Sequence, residues 1–285
     1  MELRYEEKHC YRFDEASHIT PNSELYKAMD IAMGRTVALK KVTVIGNTPR
    51  EQELNYKKAM QEVKTMLQVS ELTSKIPNIY SSYYDQKMNQ LYIAMQWING
   101  ETLADKMSRN VPTTVFLRWM QELCQILDAM SKRHFQHKDI KPENIMFNEN
   151  EDLYLIDFNI SVSVPNQMEG TMFYKAPEMD FGSTTVARDK VDMFSIGVML
   201  YQQTTGKIPM RMMDYECYDP SVGKWDMFNE PKNINPQVDD KLNNLIIKLM
   251  SYNPNDRFKN YKELSNELRN IERGIRNAGR NGKRS

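Results

Sequence analysis

In the N-terminal part of the chain, apolar and polar positions alternate with the period of two that is typical of β-strands. Two β-prone runs, Leu25–Ala28 and Thr36–Val42, flank Gly34, which suits a tight turn. We therefore expect an antiparallel hairpin here. Within the second run the alternation places Ala38 and Lys40 on one face of the strand and Val37, Leu39 and Lys41 on the other.

The pattern then changes to that of a helix. Residues 50–72 are rich in Glu, Gln, Lys, Met and Leu and contain neither glycine nor proline, a composition that favours a helix. Val63, Met66 and Leu67 are predicted to share its apolar face, with Glu62 at the border of that face.

The remaining pattern predicts a second hairpin and then a mostly helical part. The runs Ile79–Tyr84 and Leu91–Met95 form the predicted hairpin. From Thr113 onward, apolar residues recur at spacings of three and four, which predicts a helix that packs one face into a core: Phe116, Met120, Leu123, Leu127 and Met130. Leu153–Ile156 is predicted to be a short strand ending on Asp157, from where a carboxylate can project into a cleft.

Composition excludes several classes of protein. The chain has 285 residues, 40% of them apolar and 27% charged, which is ordinary for a globular protein. Lys plus Arg and Asp plus Glu number 38 each, so no overall charge favours nucleic acid or membrane, and a basic patch must be local. The charged N-terminus and the absence of a long apolar stretch predict a cytoplasmic protein without a membrane segment.

The cysteines point to the same compartment. Cys10, Cys124 and Cys217 are odd in number and show no paired spacing. We expect three free thiols in a reducing environment and no structural zinc site.

The strongest chemical signal lies between His137 and Asn144. It contains an acid at Asp139, a lysine at Lys141 and an amide at Asn144, and the triplet Asp157-Phe158-Asn159 follows. An acid that accepts a proton, a cation and oxygen ligands for a metal suit the attack of a hydroxyl on a phosphate. The stretch resembles the catalytic loop H-R-D-x-x-x-x-N of eukaryotic-type protein kinases, and the triplet resembles their D-F-G.

The resemblance implies an α+β, two-lobed protein-kinase fold, with a small β-rich N-lobe that has one main helix and a larger, mostly helical C-lobe. It also implies roles: Asp139 orients the substrate hydroxyl and takes its proton, and Lys141 neutralises charge on the transferred phosphoryl group. Asn144 and Asp157 would hold Mg²⁺. Lys141-Pro142-Glu143-Asn144 resembles the serine/threonine branch of the family rather than the tyrosine branch.

The resemblance extends to ATP binding. Lys40 matches the lysine of the V-A-I-K strand, which reaches the α and β phosphates and pairs with a helix glutamate, here best matched by Glu62. The implied walls of the adenine site and its hinge are Leu25, Ala38, Met95, Trp97 and Met146. A solvent-facing lysine in an edge strand is the alternative for Lys40, and ordinary core packing is the alternative for Met95.

Three further pieces follow in the family's order. Gly170–Glu178 resembles the segment that receives the substrate peptide and ends in A-P-E, with Thr171 contacting Asp139 and Lys141. The resemblance implies an ion pair between Glu178 and Arg257. It also implies that Asp192 braces the catalytic loop.

The sequence departs from the family at the nucleotide loop. The three glycine positions of G-x-G-x-x-G-x-V, counted back from Leu25, hold His18, Thr20 and Ser23, and Pro21 stiffens the turn. Side chains there should lift the loop off the nucleotide.

Two milder departures lie near the catalytic loop. Lys138 replaces an arginine that often grips a phosphate, and it lacks the bidentate fork of that residue. Asn159 replaces the glycine of D-F-G, but asparagine tolerates positive φ.

We expect an N-lobe over residues 1–96, a hinge over 97–100, a C-lobe over 101–270 and a flexible basic tail over 271–285. The tail suggests a solvated end or contact with an anionic partner. The aromatic and methionine residues between Gly206 and Pro236 predict either a docking surface or the packing of a loop-rich region.

The predicted function is ATP- and Mg²⁺-dependent phosphorylation of serine or threonine in protein substrates, with no specific signal for nucleic acid. The alternative is a pseudokinase that binds partners, which the glycine-free loop favours. A small-molecule kinase is disfavoured by Ala176-Pro177-Glu178 and Asp192.

Overall fold

The computed structural model of the chain describes residues 2–5, 9–158, 173–179, 190–209, 218–219, 224–225 and 229–281. The chain divides into two compact units, one of residues 1–100 with 147–159 and the other of residues 101–146 with 160–285. None of the described helices combines the length and the apolar character that a membrane span requires.

An antiparallel sheet dominates the first unit. Its strands are β1 (Glu2–Tyr5), β2 (His9–Arg12), β3 (Ala16–Ile19), β4 (Ser23–Asp30), β5 (Arg35–Thr43), β6 (Ile79–Asp85) and β7 (Gln90–Gln96). Their order is β1-β2-β4-β5-β7-β6, and β3 also pairs with β4. Both predicted hairpins are confirmed, and Gly34 turns the first of them at a positive φ of 62°.

Apolar residues line both faces of this sheet. On one face lies a cluster rich in aromatics: Tyr11, Phe13, Tyr26, Ala28, Val37, Leu39 and Ala94. On the other face, Val44, Leu91 and Ile93 pack with Val63 of helix α1 (Pro49–Ser70). The alternation predicted for β5 thus agrees with the two faces of the sheet, one covered by the aromatic cluster and the other by helix α1.

Helix α1 was predicted correctly, but its buried face was predicted only in part. Val63 and Met66 are buried as expected, whereas Leu67 is 46% exposed. Thr65 and Val69 complete the buried face instead. The prediction for Leu67 was wrong because a step of four residues from Val63 turns the helix 40° beyond a full turn, toward solvent.

Three short strands form a second, smaller sheet. They are β8 (Gly100–Thr102), β9 (Ile145–Asn148) and β10 (Leu153–Leu155), paired in the order β10-β9-β8. A Cβ added to Gly100 would lie 1.8 Å from the carbonyl oxygen of Phe147. Only glycine therefore permits this approach of the two backbones.

The second unit is built from helices. These are α2 (Leu103–Met107), α3 (Thr113–Ser131), α4 (Val191–Thr205), α5 (Pro231–Ile234), α6 (Asp240–Leu249) and α7 (Tyr261–Asn281). The apolar series predicted for α3, from Phe116 to Met130, is fully buried. Helix α4 is buried on all sides over Val191–Tyr201, as expected of a central helix.

The flexible tail predicted for residues 271–285 is wrong as far as Asn281. Helix α7 continues to that residue and packs along α3. Ile271 and Glu272 are buried, because they lie on the same face of the helix as the buried Leu264 and Leu268. Beyond them Arg273, Arg276 and Arg280 lie exposed on the helix.

Two other expectations fall outside the described residues, wholly or in part. Most of the stretch between Gly206 and Pro236 lies there, and its described backbone includes two short paired strands, β11 (Tyr218–Asp219) and β12 (Lys224–Trp225). Cys217 also lies outside, while Cys10 and Cys124 form no disulfide in the described part of the chain.

Candidate active site

In the first unit, the side chains of Lys40, Glu62 and Asp157 come together. Lys40 Nζ lies 2.8 Å from Glu62 Oε1 and 3.5 Å from Asp157 Oδ1. Lys40 and Glu62 are buried, whereas the Asp157 side chain is 37% exposed. A charged amine with two carboxylates is thus held at the edge of solvent, where an anionic ligand can approach it.

Electrostatics keep this lysine charged. Burial acts to lower the pKa of Lys40, but the carboxylates of Glu62 and Asp157 outweigh it and hold that pKa above its ordinary value. The ammonium group is therefore available as a cation for phosphate oxygens across the physiological pH range.

The local sequence explains why Glu62 reaches Lys40. The helix that carries Glu62 begins at a capping box, in which the Thr48 side chain accepts from Glu51 N and the Glu51 carboxylate accepts from Thr48 N. Pro49 follows the cap and favours the first helical turn. From this start, Glu62 falls on the buried face beside Val63. The prediction of Glu62 over a neighbouring acid agrees with this contact.

Other predicted nucleotide residues share the sheet face of Lys40. Leu25 is paired with Lys40, and Ala38 is paired with Met95, so these side chains point to the same face. Trp97 follows β7, and its indole Nε1 is buried without a hydrogen-bond partner among the described residues. The small side chain of Ala38 leaves space beside Lys40 on this face of the sheet.

In the second unit, the catalytic-loop residues predicted from the sequence converge on Asp139. Lys141 Nζ lies 2.9 Å from Asp139 Oδ2. Asn144 Nδ2 donates to Asp139 Oδ2 at 3.0 Å and to the Asp139 carbonyl at 2.8 Å. Since the amide nitrogen of Asn144 is engaged in this way, its oxygen is the atom that suits a hard cation.

Asp192 holds the backbone of this loop, as the family resemblance implied. The buried Asp192 carboxylate accepts from the backbone N–H groups of His137 at 2.9 Å and Lys138 at 2.7 Å. Lys138 has a φ of 66°, so the loop passes through a left-handed conformation just before Asp139. Burial raises the pKa of Asp192, and the nearby His137 and the two N–H donors offset that effect only in part.

The segment after the catalytic loop is anchored within the same unit. Arg257 binds both carboxylate oxygens of Glu178, at 2.5 and 2.7 Å, which confirms the ion pair implied by the resemblance. Ser195 Oγ donates to the Tyr174 carbonyl at 2.8 Å, and the Tyr174 hydroxyl donates to Gln202 at 2.6 Å. Residues 173–179 are therefore tied to α4 at several points.

These contacts border a cavity that the sequence did not predict. It has a volume of about 350 Å³ and lies between the end of α2, the turn at Pro142–Glu143 and the C-terminal end of α4. Glu143, Tyr174 and Gln202 supply polar groups to its wall. Burial and then the charge of Glu143 raise the pKa of Tyr174 to about 12. Pro142 and Glu143 belong to the loop motif found in the sequence, but that motif gave no indication of a cavity.

Of the other predicted site residues, Met146 lies half-buried in β9. Thr171 and Asn159 lie outside the described residues. Asp157 has a positive φ of 64°, and the positive φ considered for Asn159 stays a prediction.

A family model described as the protein kinase domain matches residues 21–267. The chain belongs to the protein kinase domain family. The predicted fold class, an α+β fold with a β-sheet lobe and a helical lobe, is confirmed with it.

Curated relatives agree with this assignment. A probable serine/threonine-protein kinase of Clostridium acetobutylicum is 27% identical over 275 residues, which cover 92% of this chain and 40% of the relative. The serine/threonine-protein kinase PrkC of Bacillus subtilis is 23% identical, covering 87% and 38%. CBL-interacting serine/threonine-protein kinase 20 of Arabidopsis thaliana is 26% identical, covering 86% and 55%. The kinase domain thus spans from about two fifths to just over half the length of these relatives.

Proposed function

We propose that this kinase domain transfers the γ-phosphate of ATP to serine or threonine hydroxyls of proteins. The observation that carries the proposal is the convergence of Lys141 and Asn144 on the Asp139 carboxylate, at 2.9 and 3.0 Å. This arrangement suits a base that must be oriented and a charge that must be neutralised. The three relatives described above are serine/threonine-protein kinases, which supports the same acceptor class.

The proposed chemistry is an in-line displacement at phosphorus. The substrate hydroxyl oxygen bonds to the γ-phosphorus, the bond from that phosphorus to the β,γ-bridging oxygen breaks, and ADP leaves with its electrons. Asp139 accepts the hydroxyl proton, and Lys141 neutralises charge on the phosphoryl oxygens during transfer. Asp192 does not react in this scheme but sets the path of the loop backbone that carries Asp139.

The proposed nucleotide site uses the cation found in the first unit. Lys40, held by Glu62 at 2.8 Å, binds the α and β phosphates. The adenine ring is enclosed by the residues predicted for it: Leu25, Ala38, Met95, Trp97 and Met146. A small residue at Ala38 on the face of Lys40 supports this assignment, because a flat ring needs that space.

Two of the predicted site residues carry oxygen donors of the kind that a divalent metal prefers. Asp157 offers a partly exposed carboxylate, and Asn144 retains its amide oxygen, both of them hard oxygen ligands. We assign these two residues to Mg²⁺, which when bound neutralises negative charge on the phosphates. The residues of the chain do the rest: they orient the hydroxyl, accept its proton and position the nucleotide.

The proposed protein substrate binds in the second unit. Thr171 is assigned to contact Asp139 and Lys141. The cavity beside Glu143 is assigned to a side chain of the substrate. For the whole chain, the proposed organisation is an N-lobe over residues 1–96, a hinge over 97–100 and a C-lobe from 101.

We also propose an anionic partner for the exposed end of α7. Arg269, Arg273, Arg276 and Arg280 are spaced by four, three and four residues and are exposed, so they form one basic stripe. Binding of the chain to an anionic surface that weakens with added salt, and that a variant with four glutamines lacks, supports this partner. Equal binding by both proteins contradicts it.

The function is tested by transfer of labelled γ-phosphate from ATP, with Mg²⁺, to a generic basic protein and to the chain itself. Label on serine or threonine, lost when the metal is chelated, is the expected result. Label on tyrosine alone contradicts the acceptor class. If the chain neither binds ATP nor transfers label, the pseudokinase interpretation replaces this proposal.

A further inference from the structure

The turn between β3 and β4 is closed by its own side chains. Thr20 N donates to the Ser23 carbonyl at 2.8 Å, and Ser23 N donates to Thr20 Oγ1 at 3.0 Å. The hydroxyls of Thr20 and Ser23 lie 2.8 Å apart. Thr43 N donates to the Asn22 carbonyl at 2.9 Å and so fastens the turn to the end of β5.

This closure removes the usual way in which such a turn binds phosphate. Anion-binding turns present backbone N–H groups to phosphate oxygens. Here the N–H groups of Thr20 and Ser23 are already donated within the turn, and Pro21 has none. Of the four backbone nitrogens of residues 20–23, those of Thr20, Pro21 and Ser23 therefore have no N–H group left to donate to a ligand.

The position of Ser23 offers a replacement donor. Leu25 is paired with Lys40, and Ser23 lies two residues before Leu25 on the same strand, so the Ser23 side chain points to the face of Lys40. It lies about 7 Å along β4 from Leu25, toward the tip of the hairpin. A phosphate chain held by Lys40 and extended toward that tip would lie on the face to which Ser23 points.

The hydrogen-bond arrangement leaves Ser23 able to donate. Each hydroxyl has one proton and can accept two hydrogen bonds. Thr20 Oγ1 lies within donating distance of the Ser23 carbonyl, at 3.2 Å, and of Ser23 Oγ, at 2.8 Å. When Thr20 donates in the shorter of these two contacts, the Ser23 proton is available in another direction. The backbone bond from Ser23 N to Thr20 Oγ1 holds Thr20 in place for that role.

We propose that the Ser23 hydroxyl, oriented by Thr20, donates a hydrogen bond to the phosphate chain of the nucleotide in place of the backbone N–H groups of a glycine loop. This inference rests on the proposed function, because it requires that ATP binds on the face of Lys40. It makes Ser23 a binding residue and Thr20 a positioning residue.

The test measures the dissociation constants of Mg²⁺-ATP and of adenosine by calorimetry on the full chain. Ser23→Ala should weaken ATP binding by about tenfold, the lower end for a lost hydrogen bond to a charged group. Adenosine has no phosphates and should bind Ser23→Ala as it binds the natural protein. Ser23→Thr keeps a hydroxyl at the same position and should restore ATP binding to within about twofold to threefold.

Thr20→Val tests the positioning role, because it removes the hydroxyl that orients Ser23 and keeps the Ser23 hydroxyl itself. It should weaken ATP binding, by a smaller factor than Ser23→Ala does, and leave adenosine binding unchanged. A loss of adenosine binding in either variant, or a larger loss of ATP binding in Thr20→Val than in Ser23→Ala, would show that the shape of the turn matters and would overturn the inference.

The outcome for the natural protein separates the two proposals. If it binds ATP and transfers phosphate while Ser23→Ala binds ATP equally well, only the role of Ser23 is wrong. If the natural protein binds no ATP, the proposed function fails and the role of Ser23 fails with it. Melting curves of all variants confirm that each is folded before binding is measured.

Discussion

Arg257 and Glu178, which are 79 positions apart in the sequence, form a two-pronged ion pair in the second unit. The Arg257 side chain is fully buried and also donates to the carbonyl oxygens of Lys190 at 3.0 Å and Ser251 at 3.1 Å. One guanidinium thus joins Glu178 to two other points of the backbone. The contact ties the end of the segment 173–179 to the helical core.

Breaking this pair should destabilise the second unit strongly. Arg257→Ala leaves the Glu178 carboxylate nearly buried without its cation, at a cost of about 3–5 kcal/mol in the free energy of unfolding. Urea denaturation measures this loss. Lys57→Ala removes an exposed ion pair with Glu53 and should leave the unfolding midpoint nearly unchanged. Equal midpoints for Arg257→Ala and the natural protein would show that the pair contributes little.

The close approach at Gly100 gives a second prediction. A Cβ at this position would meet the Phe147 carbonyl oxygen, so Gly100→Ala should force the backbones apart and cost about 1–3 kcal/mol or more. Gly274→Ala, in helix α7, is the control, because a Cβ there meets nothing within 4 Å. That change should instead stabilise by about 0.5–1 kcal/mol. Thermal unfolding that ranks the two variants in the opposite order refutes the steric account.

The buried carboxyl of Asp192 should impose its own pH dependence on stability. Its pKa is raised above the ordinary value of 3.8, so between 3.8 and the raised value the folded state holds a proton that the unfolded state has lost. This contribution is fully present below pH 3.8 and decreases as the pH rises through the raised pKa. The stability difference between the natural protein and Asp192→Asn should therefore shrink with rising pH.

Asp152 provides a control of opposite sign. Hydrogen bonds from Lys75 and Asn148 lower its pKa, so its contribution is present above the ordinary value and is lost as the pH falls through the lowered pKa. The difference between the natural protein and Asp152→Asn should grow with rising pH. Urea denaturation from pH 2.5 to 8, a range that covers both sides of the ordinary value of 3.8, measures both differences, and slopes of the same sign for the two variants would contradict the burial of Asp192.

Residues with a strong local pattern were predictable from the sequence. The alternation in β5 indicated the face of Lys40, and spacings of three and four indicated the buried face of α3. The contacts of Glu178 with Arg257 and of Asp192 with the catalytic loop followed from the family resemblance alone. No local periodicity relates residues that lie so far apart in the chain.

The features that were missed depend on neighbours that the sequence does not display. Whether Leu67 or Thr65 is buried depends on the angle at which α1 lies on the sheet. The continuation of α7 to Asn281 depends on the surface of α3, which buries Ile271 and Glu272. The hydroxyl contacts between Thr20 and Ser23 depend on the turn geometry, which only the three-dimensional structure reveals.

The most direct test of the account compares the rate of phosphate transfer, in a single turnover at saturating ATP, between the natural protein and Asp139→Asn. Asp256→Asn is the matched control, because it makes the same change at an exposed position of the same unit. The account predicts a rate lowered by about 10² to 10⁴ fold for Asp139→Asn, with ATP still bound and the control unchanged. Transfer by Asp139→Asn at the rate of the natural protein would contradict the role of Asp139 and with it the proposed mechanism.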